Sequence, residues 1–547
     1  MKIALAQLNY HIANFEANTN KIIGAIRRAE EQGAELVVFS ELAVTGYYPH
    51  DLLERKEFIE KAEQAILKIA QECTNIAALV GAPSINQSPR GKKLFNSAYL
   101  LNQGKVETVR HKSLLPTYDI FDEYRHFEPN RQFEIVPFKD KKLAVTICED
   151  LWDEQPTQNE FGKDKLYTRS PLEELSKHQP DLVINLSASP FSYNQENWRK
   201  DTLVKKAIKY QLPIVYVNQV GAQTEIVFDG GSFFLKEDGT IPVELAYFEE
   251  DFQVIDTDNP TSKPIEHEDY IAKIHQALIL GIRDYFQKMG FKDAILGLSG
   301  GIDSALVCAL AVEALGKDHV RGVLMPSRYS SDHSIDDAVK LAENLGIRHD
   351  TIAIQSMVND FEEQLKPLFN NLPPDVAEEN IQARTRGILV MALSNKFGNI
   401  LLNTTNKSEC AVGYGTLYGD MNGGLSVLGD VYKTDVYKLS HYINREQEII
   451  PHNSIVKPPS AELRPDQKDT DSLPDYDILD AVLFNYIEMN LSPDEIISKG
   501  FEPETVLKIT RMVNQNEYKR FQSPPILRVS SKAFGFGRRM PLVARYN

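Results

Sequence analysis

Residues 297–304 read Gly-Leu-Ser-Gly-Gly-Ile-Asp-Ser, set between a strand-like apolar run (AILGLS) and an apolar helical run that begins at Ser304. A turn of this kind aims backbone N–H groups and the positive end of a helix dipole at one spot, where an anion is favoured. Gly300 and Gly301 let the backbone come close to a phosphate, and Ser299 and Ser304 add hydroxyl donors. Asp303 would repel a bare phosphate and makes sense as a holder of Mg²⁺ bridging to phosphates. The Lys-Ser/Thr pair of a Walker A loop is missing. Taken without its setting, the string is equally a glycine-rich turn with an Asp/Ser helix cap. The setting is a repeated one: helix KIHQALILGIRDYF, strand VRGVLMP, helix SIDDAVKLAENLG, strand TIAI, a long helix around Arg384–Phe397, and strand NILLNTT. Strand–helix alternation at this spacing predicts a doubly wound parallel sheet.

The first half has a different rhythm. KIALAQL is followed by a helix capped at Asn18 or Thr19, with Ile22, Ile23, Ile26 and Ala29 on one face and Gly33 at its end. Then come ELVVFSEL, AALVGAP, NSAYLL, KLAVTICED, DLVINLSAS, PIVYVNQVG and GGSFFL, all β-rich and bounded by turn residues. Many strands among few helices predict a layered α/β or α+β domain with large sheets, finishing near FQVIDTD. The polar stretch at about 256–269 carries two prolines and reads as a linker, placing one domain at 1–258 and another at 259–547. PPSAELRPDQKDTDSLPDYD, also polar and proline-rich, reads as a loop that orders only with ligand.

Three residues of the first half follow strand-like runs: Glu41, Lys112 and Cys148. A cysteine nucleophile needs thiolate character although its free pKa is about 8.5. A nearby lysine supplies that and can also stabilise an oxyanion, while a carboxylate serves as the base that moves protons on and off the thiol and the leaving amine. Each residue alone has a plainer reading: a small buried hydrophobe, a strand-edge charge and a loop cap.

Composition narrows the classes. The chain has 547 residues, with 25% charged, 42% hydrophobic and a formal net charge of −17. It is an ordinary globular composition with room for two to four cores, and its acidity argues against a nucleic-acid partner. Four scattered cysteines suggest neither a disulfide framework nor a zinc site, so a reducing, cytoplasmic setting is expected. The N-terminus does not read as a signal peptide, and no apolar run approaches the roughly 20 residues that span a bilayer.

The string at 297–304 resembles the SGGxDS pyrophosphate loop of enzymes that split ATP into AMP and pyrophosphate. With EENIQARTRG, LLNTTNKSECAVGYGTLYGD and SSKAFGFGRRMP, residues 268–547 resemble NAD synthetase, which amidates nicotinic acid adenine dinucleotide (deamido-NAD). The resemblance implies ATP contacts from Gly297, Leu298, Ser299, Gly300, Gly301, Ile302, Asp303, Ser304 and Thr404. It puts Asn380, Glu409 and Lys532 on deamido-NAD and Asp303 and Glu409 on Mg²⁺, with Asp420 and Lys433 as weaker correspondences. Lys532, Arg538 and Arg539 form a basic cluster in an acidic chain, as a polyphosphate substrate requires.

In the first half FSELAVTGYYPHDLL, RHKSLLPTYDIFDEYRHF and VTICEDLW resemble the three signature regions of the nitrilase superfamily, whose triad is Glu-Lys-Cys. In NAD synthetases of the glutamine-dependent type such a domain precedes the synthetase and hydrolyses glutamine. The resemblance therefore implies a nitrilase-like αββα sandwich followed by a doubly wound, Rossmann-like ATP-pyrophosphatase domain. It implies glutamine, ATP and deamido-NAD as small-molecule partners, and a homo-oligomer. Glu41 becomes the base, Lys112 its partner, Cys148 the nucleophile, and Tyr118, Ser189 and Gln195 the glutamine contacts. The family often has lysine where this chain has Gln195, with Arg199 retained. Rival readings are another ATP-pyrophosphatase amidotransferase, a tRNA-modifying module using the same loop, and a binding protein without catalysis. The first uses unrelated glutaminase domains, the second fits poorly with the negative charge, and the third with the intact candidate residues.

Overall fold

The computed structural model describes residues 1–154, 166–193, 196–261, 269–370, 372–465 and 467–545. They fall into two compact units, Met1–His267 and Glu268–Asn547. Among the described residues no helix is long and apolar enough to cross a membrane.

The first unit is built on two six-stranded sheets. One comprises β1 (Lys2–Gln7), β2 (Leu36–Val38), β3 (Ala77–Ile85), β4 (Leu94–Asn102) and β5 (Lys105–His111), with the late strand β14 (Asp251–Asp256) on the far side of β1. The other comprises β6 (Val136–Phe138), β7 (Lys141–Ile147), β8 (Leu182–Leu186), β9 (Ile214–Val217), β12 (Phe233–Leu235) and β13 (Val243–Glu244). Strands β10 (Val220–Gln223) and β11 (Ile226–Asp229) form a separate ribbon. Alternation along the strands sorts side chains between faces. Ile3, Leu5, Leu36, Val38 and Leu79 meet Leu143, Val145, Ile184 and Val215 between the sheets. Ala4, Ala6, Val37 and Val80 pack outward on helices Phe15–Glu31 and Lys56–Glu72, while Ala144, Val183 and Ile214 pack on Leu172, Leu175 and Leu203. The result is the expected αββα sandwich.

One local expectation shifts. The first helix starts at Phe15, and its cap is Asn14, whose side chain accepts from the Ala17 N–H. Asn18 is instead buried inside the helix and donates to the carbonyls of His11 and Val44. Its side chain fastens a loop to the helix, a role that local capping rules do not foresee.

The second unit has one parallel sheet in the order β17-β16-β15-β18-β19, from β15 (Ala294–Gly297), β16 (Val320–Leu324), β17 (Arg348–Thr351), β18 (Ile400–Asn403) and β19 (Leu425–Ser426). The chain fills one side of β15 and then returns to its other side with β18. That reversal is a topological switch point, where doubly wound sheets open a crevice beyond their carboxyl ends. The loops after β15 and β18 face it. The long helix runs over Val376–Phe397, begun by an Asp375/Glu378 capping box, and seats Val390 on Ile295, Val323 and Leu401. A further helical layer packs Leu479, Val482, Ile496 and Ile509 on Cys410, Ala411 and Val412 of the short helix Lys407–Val412.

Candidate active sites

In the first unit the chain ends leaving β2, β5, β7 and β8 converge. Glu41, three residues beyond β2, is fully buried, and its N–H donates to the Ser187 carbonyl beyond β8 at 3.3 Å. Close approach makes this possible: a Cβ on Gly81 of β3 would lie 2.4 Å from both Ser40 O and Leu42 N. Glu41 Oε1 accepts from Lys112 Nζ at 2.7 Å and Asn96 Nδ2 at 2.7 Å, and Oε2 accepts from the Ala188 N–H at 3.2 Å. Lys112 Nζ also donates to Glu123 Oε1 at 2.7 Å, which takes the Tyr47 hydroxyl as well. One buried ammonium is thus shared by two buried carboxylates. Burial works against its charge, but Glu123 and Glu41 outweigh that and hold the Lys112 pKa well above its ordinary value.

Cys148 follows β7 and begins the tight turn Cys148–Leu151, with φ of +41°, a left-handed backbone that a non-glycine residue adopts at a cost. Asp150 stabilises the turn by accepting the N–H groups of Ile147, Ser113 and Leu114, which also fastens it to the chain just after Lys112. Burial pushes the Cys148 thiol well up, the Glu41 charge adds to this, and Lys112 only partly opposes it. The role expected of Lys112 is to lend the thiol anionic character; its charge is also drawn on by Glu41 and Glu123, both at 2.7 Å. The same burial pushes the Glu41 carboxyl up to about 7, with Lys112 opposing and Glu123 reinforcing the rise. A neutral thiol beside a carboxylate that titrates near neutrality is a proton-transfer pair.

Tyr118 lies at this site, half exposed, with its hydroxyl on Glu149 at 2.9 Å, and Tyr167 donates to the same carboxylate at 2.8 Å. Burial raises Glu149, next to the nucleophile, to about 7. Ser189 follows Ala188 and is tied through its backbone to both ends of the Asn218 amide. Gln195 lies outside the described residues. Arg199 is buried and bound to Asp229 through Nη1 at 3.1 Å and Nη2 at 2.5 Å, so its charge serves an internal pair.

In the second unit the loop after β15 is held by its own hydroxyls. Ser299 Oγ lies 3.1 Å from Ser304 Oγ and accepts the Gly301 N–H at 3.2 Å, while Ser304 Oγ donates to Gly301 O at 3.1 Å. Gly300 has φ of +76°, and a Cβ there would fall 2.1 Å from Ser334 O. Gly297, Leu298, Ser299, Gly301, Ile302, Asp303 and Ser304 line a cavity of about 330 Å³, as do Thr404, Glu409, Asp420 and Lys433. Asp303 accepts from Lys433 Nζ at 2.5 Å and Asn406 Nδ2 at 2.9 Å, and Glu409 lies 3.5 Å from the same ammonium. Burial, then the Asp303 charge, push Glu409 up to about 8 against the pull of Lys433.

A family model described as NAD synthase matches residues 274–523, and one described as carbon-nitrogen hydrolase matches residues 2–265. The glutamine-dependent NAD(+) synthetase of Synechocystis sp. is 47% identical over 558 residues, covering 100% of this chain and 99% of that protein. The chain belongs to the glutamine-dependent NAD⁺ synthetases. Among solved structures, the family member from Acinetobacter baumannii in complex with adenosine diphosphate is 41% identical, with a TM-score of 0.78 over 99% of this chain and 98% of that one. The Cytophaga hutchinsonii enzyme, 21% identical, shares the fold at a TM-score of 0.84 over 100% and 98% of the two chains.

Against this synthetase family, the expected residues divide three ways. Glu41, Lys112, Cys148 and Tyr118 come together with Ser189 nearby, and the 297–304 loop gathers with Thr404, Asp420, Glu409 and Lys433. Asn380 and Lys532 lie outside the cavity lining: Asn380 Oδ1 accepts from Thr416 Oγ1 at 2.7 Å, and the Lys532 carbonyl accepts from Lys407. The expected basic cluster is split, because Arg538 Nη1 is paired with Glu517 at 2.5 Å while Arg539 is exposed. The sequence reading missed Asn96, Glu123, Asn406 and the cavity-lining Arg386. Glu123 was within sight, in the acidic run after Tyr118. Asn96 and Arg386 carry no local signal, because a single polar residue in a strand or helix reads as a solvated face, while Asn406 reads only as the cap of a capping box with Glu409 and gives no sign of its bond to Asp303. The segment expected to order only with ligand is seated on the cavity wall, where Glu462 Oε1 accepts from Ser331 Oγ at 2.9 Å and Ser334 Oγ at 2.7 Å.

Proposed function

We propose that the two units divide one reaction, the amidation of deamido-NAD to NAD⁺ with nitrogen taken from glutamine and energy from ATP. The observation that carries the reading is that one chain, matched end to end by the family, furnishes both a Glu-Lys-Cys set and an SGGxDS cavity.

In the first unit Glu41 removes the Cys148 proton as the sulfur attacks the side-chain amide of glutamine. Lys112 faces the developing oxyanion, and protonated Glu41 returns the proton to the departing ammonia. Water, activated by Glu41, then releases glutamate from the thioester. Tyr118, Ser189 and Gln195 orient the amino acid, Gln195 as a neutral contact.

In the second unit the N–H groups and hydroxyls of residues 297–304 hold the ATP phosphates, with Thr404 also on ATP and Lys433 adding charge. The nicotinate carboxylate displaces pyrophosphate from the α-phosphorus, and ammonia then displaces AMP. Asn380, Glu409 and Lys532 are assigned to deamido-NAD. Magnesium fits the residues present. Asp303 and Glu409 present two carboxylates to one cavity, both against the Lys433 ammonium at 2.5 and 3.5 Å, and oxygen ligands on a site already arranged for positive charge suit a hard divalent cation. Bound there, it would neutralise phosphate charge as pyrophosphate leaves. Four unpaired, buried cysteines are in keeping with a reducing cytoplasm. A homo-oligomer is the assembly we assign, to be measured by sedimentation.

The test is product analysis by mass spectrometry with deamido-NAD, ATP and either glutamine or ammonium. Cys148→Ala should abolish NAD⁺ formation from glutamine and retain it from ammonium. Equal loss with both donors would show that the two chemistries are not separately housed.

A further inference from the structure

Lys407 belongs to neither constellation, yet no part of it reaches solvent. Its ammonium lies 2.9 Å from Asp430 Oδ1, and donates to Glu488 Oε1 at 2.8 Å, Ser530 Oγ at 2.8 Å and the Lys532 carbonyl at 3.0 Å. The two carboxylates extend the grip. Asp430 Oδ2 accepts the N–H groups of Val529 at 2.8 Å and Ser530 at 2.7 Å, and Glu488 Oε2 accepts from Ser531 Oγ at 2.8 Å. Glu488 closes a π-helical turn, Phe484–Glu488, that continues the α-helix Tyr476–Leu483. The wider turn rotates the residues that follow it relative to a regular helix, and such turns often serve to aim one side chain. Four successive residues, 529–532, are thus fixed from below by one buried ammonium and its two acids.

The other side of the same short segment faces the nucleotide cavity. Asn406, the preceding residue, donates to Asp303, and Glu409, two residues on, lines the cavity. Lys407 therefore ties the nucleotide wall to the strip of chain that carries Lys532.

We propose that Lys407 is a positioning residue for dinucleotide binding: by fixing residues 529–532 it sets where Lys532 meets deamido-NAD. The inference rests on the assignment of Lys532 to that substrate. A merely structural role would weaken the whole unit, whereas positioning weakens one substrate selectively.

The experiment uses the full chain with ammonium as nitrogen donor. Lys407→Met should raise the KM for deamido-NAD about tenfold while the KM for ATP and the basal hydrolysis of glutamine stay within about twofold, the pattern of lost binding to one substrate. Hydrogen exchange should show the Val529 and Ser530 amides losing protection. Lys532→Met should raise the same KM, and the double variant should add nothing further, since both changes act on one contact. Parallel rises in both KM values, or unchanged protection at 529–530, would overturn the proposal. An unaffected KM in Lys532→Met would instead remove the assignment on which it rests, a separate and recognisable failure. If Lys407→Met does not fold, Glu488→Gln keeps the shape of the clamp and weakens its charge. A selective rise of about threefold supports the proposal by the same KM criterion, and no change overturns it.

Discussion

Sharing Lys112 between Glu41 and Glu123 decides how Cys148 must be used. A lysine with one carboxylate partner could lend its charge to the thiol. With two, it stabilises the carboxylates, and in the mechanism we propose Cys148 keeps its proton until Glu41 takes it. On that proposal the base form of Glu41 is the active form, and burial pushes its carboxyl up to about 7. Glutamine hydrolysis should therefore fall about tenfold per pH unit below that value and level off above it, while ammonium-supported synthesis lacks this limb once corrected for free ammonia. A glutaminase rate flat from pH 5.5 to 8 would contradict the assignment. Glu41→Gln should reduce hydrolysis by at least about a hundredfold, the usual scale of losing a general base. Asp303→Asn acts on the other chemistry: it leaves Glu409 without its partner carboxylate. Pyrophosphate release should be lost with either nitrogen donor while glutamine hydrolysis persists, and a variant that still releases pyrophosphate at a near-normal rate would exclude the metal role.

At the scale of elements, both sites sit where strands end, and a glycine at each allows a close approach, Gly81 to the chain beside Glu41 and Gly300 to the Ser334 carbonyl on a neighbouring helix. Gly81→Ala places a methyl against the backbone on both sides of Glu41, and backbone does not yield as a flexible side chain would. We expect hydrolysis to drop at least about tenfold, with ammonium-supported synthesis retained; an unchanged glutaminase would mean that the Glu41 loop can move aside. In the sequence Gly81 is simply part of a strand, because nothing in AALVGAP announces that another chain segment crosses it. The strands themselves were legible, since period-two alternation at Ile3/Leu5 against Ala4/Ala6 reports the two faces of a covered sheet. So was the loop at 297–304, whose glycines and hydroxyls work through their immediate neighbours. Glu123, Asn96 and the Lys407 clamp were not, because their partners are distant in sequence and their meeting depends on how strands and turns stack. Arg538 shows the converse error: adjacent cations in sequence need not share a surface once Glu517 claims one of them.

For the molecule as a whole, a net charge of −17 must admit two polyanionic substrates, so attraction has to be local. Three cations line the cavity, Arg386, Lys433 and Lys457, and of these Lys433 is already paired with Asp303, so we assign the attraction first to Arg386. Nitrogen poses the opposite problem. In the division of labour we propose, it is released in the unit Met1–His267, which carries the carbon-nitrogen hydrolase match, and consumed in the unit Glu268–Asn547, which carries the NAD synthase match. Ammonia in bulk water near neutrality is mostly ammonium, which has no lone pair with which to attack an acyl adenylate. Exclusion of water would keep the nucleophile neutral and also spare the adenylate from hydrolysis. Transfer without equilibration is thus the chemically economical arrangement, and it can be measured. With unlabelled glutamine and ¹⁵N-ammonium supplied together, the NAD⁺ formed should carry little ¹⁵N in its carboxamide even when labelled ammonium exceeds the ammonia released. Label entering in proportion to the bulk pool would show that the two active sites share a chain but not their nitrogen.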